Sequence, residues 1–139
     1  MSKITKYYEL PESIKSDELQ KYFKEYIELY YNKTNEENVC YALSELLELA
    51  DRQWHTYEVI KDKIKKQLEN YIKSIINFEN EDVMDYVLYI IPRIGMGDLF
   101  RYILQNKNCI YNVNVKFNIE ESEKEYGSTV DNPYSGMSY

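Results

Sequence analysis

Few residues in this chain could do chemistry, and they are scattered. There is one histidine, His55, and there are two cysteines, Cys40 and Cys109. His55 stands in the run Asp51-Arg52-Gln53-Trp54-His55-Thr56-Tyr57-Glu58. Glu58 lies one turn further on, where a carboxylate can orient an imidazole for proton transfer. No nucleophile in the surrounding sequence completes that pair. A zinc site takes three or four ligands at recurring spacings, which His55 with Cys40 or Cys109 does not supply. Gly95-Met96-Gly97 lacks the preceding strand and the third glycine of a nucleotide-binding loop. The carboxylates show neither a glycosidase pair nor a calcium-loop spacing. The expectation is a protein without catalytic residues, metal or cofactor, which works by binding.

The chemistry available for binding is acidic and aromatic. Seventeen Lys and Arg stand against 24 Asp and Glu, a net charge of −7. Nucleic acid and anionic membrane surfaces both need surplus cations, so neither is an expected direct partner. A basic protein is. The acidity is uneven: residues 34–58 carry six acids and one arginine, whereas residues 59–78 carry five lysines and two acids. Sixteen tyrosines accompany this charge. Tyrosine is common at interfaces because it brings much area with little rotamer entropy, and it serves equally as boundary core. The candidate partner-binding residues are therefore Glu45, Glu48, Asp51, Trp54, His55 and Glu58. Glu120, Glu121 and Glu123 form a second acidic candidate.

Amphipathic helices must position these groups. Leu19, Tyr22, Phe23, Tyr26, Ile27 and Tyr30 recur at helical spacing, predicting a first helix over 17–31 with Ser16 as its cap. Thr34-Asn35-Glu36-Glu37 matches a capping box, followed by a buried stripe of Val39, Leu43, Leu46, Leu47 and Ala50. The opposite face of that helix should carry Glu45 and Glu48. A third helix is expected over 56–78. A fourth, apolar all round from Val83 to Ile91, should end or kink at Pro92. A short fifth follows over 99–105. Tyr111, Val113, Val115, Phe117 and Ile119 then alternate with polar residues, which predicts a strand. Its partner would be residues 4–10, a binding partner, or the same segment of a second copy, giving a homodimer through 111–119. The expected fold is thus mostly α: about five helices in antiparallel α–α hairpins, as a HEAT-like stack or an irregular bundle, with a short C-terminal β-strand. One domain would span 1–119, with an acidic, mobile tail over 120–139. The N-terminus lacks an apolar signal segment and no run is long enough to span a bilayer, so the expected location is cytoplasmic.

The junction motif resembles that of helical immunity proteins from bacterial polymorphic toxin systems. Leu46-Leu47-Glu48-Leu49 precedes Trp54-His55, and Tyr57-Glu58-Val59-Ile60 follows, with Tyr57 where such proteins carry a second histidine. Ile90-Ile91-Pro92-Arg93-Ile94-Gly95 before a final helix is similar in character. The resemblance implies an inhibitor that binds and neutralises a cognate basic toxin domain, with a nuclease among the candidates. Two other readings stand beside it. One is a phage or mobile-element accessory protein acting as an acidic nucleic-acid mimic. The other is a small helical enzyme using His55.

Overall fold

A computed structural model describes residues 7–134. It is 73% helical, with six α-helices among the described residues: α1 Ser16–Tyr30, α2 Val39–His55, α3 Asp62–Ile75, α4 Glu81–Ile94, α5 Gly97–Asn106 and α6 Val113–Tyr126.

Local chemistry sets most of the boundaries. Asp17 and Glu18 sit at the positive end of α1, though Lys15 rather than Ser16 occupies its cap position. The Thr34 box does not open α2. Its hydroxyl lies 2.9 Å from the Tyr30 carbonyl and 2.6 Å from the Tyr71 hydroxyl, so it closes the end of α1 instead. α2 therefore starts late, at Val39, and runs on to His55. The third helix starts only at Asp62, because Tyr57 adopts a left-handed backbone (φ 59°) that stops helical propagation. At α4 the Asn80 side chain accepts the Val83 N–H at 3.1 Å.

Pro92 does not break α4. Proline has no N–H for the carbonyl four residues earlier, that of Leu88. The Tyr126 hydroxyl donates to that carbonyl at 3.2 Å, and the helix continues to Ile94. Gly95 then ends it at φ 83°, a conformation that favours glycine.

The expected strand over 111–119 is absent among the described residues, and α6 stands in its place. The Asn112 side chain accepts the N–H groups of Asn114 and Val115 at 3.0 and 3.1 Å and so nucleates a helix. Val115 and Ile119 form the buried stripe, with Tyr126 packed beside it. Tyr111, Val113 and Phe117, which alternation would have placed on the same face, are left exposed. The proposed strand partner at 4–10 is a short 3-10 turn over Tyr7–Glu9, with residues 4–6 outside those described. The expected domain boundary at 119 falls inside α6. Residues 127–134 fold back over the body, with Val130 buried, and residues 135–139 lie outside those described.

The helices alternate between two layers. α1 runs antiparallel to α2, as the Gln20–Gln53 and Tyr26–Ala42 hydrogen bonds fix. α4 lies parallel to α2, and α6 parallel to α4, tied by Asn114–Glu81 and Asn118–Asp85. On the other side α1 packs on α3 and α3 on α5. There the buried Glu69 carboxylate accepts the Leu99 N–H at 2.7 Å, satisfying an orphan donor at the start of α5. α2 is central: Leu43, Leu46, Leu49 and Ala50 are wholly buried between α1 and α4. No described helix is long and apolar enough to cross a membrane.

Candidate functional site

The last two turns of α2 open onto a groove of about 750 Å³. Glu48, Asp51, Trp54 and His55 line one wall, Tyr89, Pro92 and Arg93 of α4 another, and Thr129, Val130 and Pro133 of the returning segment a third. Four of the sequence-predicted residues are thereby brought together.

Trp54 is an anchor in this wall. Its indole N–H donates to the Pro133 carbonyl at 3.3 Å, and its ring packs on those of Tyr57 and Tyr134. The Tyr134 hydroxyl lies 3.1 and 3.0 Å from the carbonyls of Gln53 and Glu58. The C-terminal strap is therefore pinned to the end of α2. Gly95 and Gly97 give it a landing place: a Cβ on Gly95 would sit 2.7 Å from the Asp131 carbonyl oxygen, and one on Gly97 would collide with the Asp131 carboxylate. The Gly-x-Gly pair that does not make a nucleotide loop thus serves close packing.

Both arginines of the groove are locked in pairs, whereas Glu12 and Glu125 of its lining have no ion pair among the described residues. Arg93 Nε donates to Asp51 at 2.6 Å, and the guanidinium carbon lies 3.3 Å from the Tyr89 ring centre. Arg52 donates to Glu48 at 3.2 Å and to the Leu10 carbonyl at 2.8 Å, which fastens the N-terminal lead-in. His55 Nδ1 lies 2.7 Å from the Asp51 carbonyl, a contact within its own helix turn. Its imidazole is a helix-terminal group with no carboxylate hydrogen-bonded to it among the described contacts.

Two hollows adjoin the groove. One lies between α2 and α4, lined by Cys40, Leu47, Asp82, Asp85, Tyr86 and Tyr89. The other, between α4 and α6, adds Glu121 and Glu125. Tyr89 borders all three. Tyr126, half-buried in the groove lining, has its hydroxyl pKa pushed up to about 12 by desolvation.

The remaining predicted residues lie apart. Glu45 was expected on the acidic outer face but is buried. The chain around Tyr7 covers that part of α2, and the Tyr7 N–H and Tyr41 hydroxyl serve the carboxylate. Desolvation raises its pKa above the usual carboxylate range. Glu58 is exposed beyond Trp54. Glu121 borders the α4–α6 hollow, Glu123 lies 3.7 Å from Lys107, and Glu120 is exposed on α6.

Sequence reasoning missed Asp82, Asp85, Tyr89 and Arg93. The fourth helix was read as apolar all round, yet Asp82, Asp85 and Tyr89 are exposed. The signal was present: 82, 85, 86 and 89 follow the three- and four-residue steps of one helix face. Among the described residues no group of three or more His, Cys, Asp or Glu side chains converges to hold a metal. Comparison with protein-family models, curated proteins and solved structures finds no match to this chain.

Proposed function

We propose that this protein is a stoichiometric inhibitor that binds a basic protein domain through the face centred on Tyr89, as an immunity protein binds its toxin. One observation carries the reading. Glu12, Glu48, Asp51, Asp82, Asp85, Glu121 and Glu125 surround the groove and hollows, against Arg52 and Arg93. With Lys124, which pairs with Glu121, three cations less seven anions leave −4 on this face. Both arginines are spent on internal partners. Such a field steers a basic partner in and sets its orientation. The half-exposed Tyr89 and Trp54 supply the aromatic anchors that interfaces favour. On this reading the two helical layers are a HEAT-like stack of three hairpins, with the α2–α4–α6 layer as the binding side, in a cytoplasmic protein.

The proposal predicts a basic toxin domain encoded by the neighbouring gene, and the test titrates that domain with this protein while following its activity. The expected result is a linear fall in activity that ends at one equivalent. Undiminished activity at excess protein overturns the proposal. Inhibition that nucleic acid competes away, on a range of unrelated basic proteins, instead identifies a nucleic-acid mimic.

A further inference from the structure

We infer that the hollow between α2 and α4 receives a guanidinium side chain of the partner, and that arginine is preferred there over lysine. The inference rests on the partner being basic, as proposed above, and adds which side chain enters and where.

The hollow measures about 550 Å³ and its surface is mainly apolar. Leu47 and Cys40 of α2 line one side. Tyr86 and Tyr89 of α4 contribute aromatic rings, and Asp82 and Asp85 contribute carboxylates. No cation pairs with either aspartate among the described residues, and Asp85 accepts a hydrogen bond from Asn118 Nδ2 at 3.3 Å. An apolar side chain entering here would desolvate two carboxylates without return, and an anion would be repelled. A long cationic side chain satisfies both features, with its stem on the apolar wall and its head at the carboxylates.

The molecule already shows this chemistry beside the hollow, at Tyr89. There Arg93 lies 3.3 Å over the ring and donates to Asp51 at 2.6 Å. A planar guanidinium can stack on a ring and pair with a carboxylate at once, whereas an ammonium is a compact, strongly hydrated point charge. Tyr86 with Asp82 and Asp85 offers the same ring-plus-carboxylate combination, and Arg93 does not line that hollow.

The experiment titrates the intact protein with a tetra-arginine peptide and a tetra-lysine peptide, followed by backbone amide NMR shifts. We expect shifts concentrated at Leu47 and residues 82–89, and tetra-arginine binding at least about threefold tighter than tetra-lysine. Asp82→Asn with Asp85→Asn should weaken tetra-arginine binding about tenfold. Glu36→Gln with Glu37→Gln removes the same charge from an exposed turn and should change it less than about twofold. Tyr86→Ala should abolish the preference for arginine. Equal losses in the two double variants, shifts spread over the whole acidic surface, or no preference between the peptides would each overturn the inference. A protein that binds tetra-arginine in the hollow yet leaves the toxin domain active defeats the proposed function alone. One that inhibits the toxin without shifts in the hollow defeats this inference alone.

Discussion

Gly95→Ala should loosen the C-terminal strap, while Gly97→Ala should be nearly silent, although the second substitution makes the deeper overlap. At Gly95 the backbone sits at φ 83°, and a Cβ would lie 2.7 Å from the Asp131 carbonyl oxygen and 3.0 Å from Pro133 Cδ. An L-residue in that conformation costs about 1–2 kcal/mol. The contact is with backbone and a proline ring, so relief requires the strap to lift. Lifting exposes Val130, now 3% accessible, at about 1.5–3 kcal/mol. The total is about 2.5–5 kcal/mol, or roughly 10–15 °C in Tm for a domain of this size. At Gly97 the overlap is with the tip of the Asp131 carboxylate, which can swing away. That loses the exposed Arg101–Asp131 pair, about 0–1 kcal/mol, and alanine at the first position of α5 restricts the unfolded chain, a gain of about 0.4–1 kcal/mol. Trp54, the sole tryptophan, donates to the Pro133 carbonyl and reports the strap directly. Gly95→Ala should shift its emission to the red and lower Tm; Gly97→Ala should do neither. If Gly95→Ala keeps wild-type emission and Tm, the strap is not held where the structure puts it.

Tyr126→Phe should cost about 1–2 kcal/mol in urea unfolding, because it orphans the Leu88 carbonyl that Pro92 leaves free. In a Pro92→Ala background the restored N–H takes over that carbonyl, and the cost should fall to a few tenths; an unchanged cost refutes the compensation. Burial raises the pKa of Glu69 in the folded state. Its contribution to stability is therefore fully present below the ordinary glutamate pKa and is lost as pH rises through the raised value. The stability of Glu69→Gln relative to wild type should rise as pH increases above the ordinary glutamate pKa, and a flat or falling difference contradicts the assignment. His55→Ala should leave toxin inhibition within about threefold, since the imidazole's recorded hydrogen bond is to its own helix turn; complete loss would return catalysis to consideration.

Much of the helical layout was legible because apolar residues recur at three- and four-residue steps. Leu19, Phe23 and Tyr26 of α1 and Ile64, Leu68 and Ile72 of α3 are buried as those steps require. The failures have physical causes. Residues 111–119 fit a strand by alternation, but Val115 and Ile119 also fit a helix, and the Asn112 cap with Tyr126 further on decides between them. Thr34 matched a capping box, yet Tyr71 claims its hydroxyl from a distant helix. Glu45 looked solvated because nothing in its own helix shows that the chain around Tyr7 covers it. The groove was half visible. Glu48, Asp51, Trp54 and His55 share one stretch of chain, whereas Tyr89 and Arg93 join them only when α4 packs alongside α2. Tyrosine counts as apolar in a periodicity argument, and that hid the exposed acidic and aromatic face of α4.

The central claim is that the face around Tyr89 meets a basic partner. Its most direct test is the association rate of the cognate toxin domain with Glu12→Lys/Glu125→Lys, measured by stopped flow at low and high salt. Both residues line the groove, both are exposed, and neither has an ion pair among the described residues. Association should slow at least about tenfold at ~0.02 M salt and converge on wild type as screening rises, while Glu36→Lys/Glu37→Lys stays close to wild type. Wild-type rates at every salt concentration would place the interface elsewhere and contradict the account.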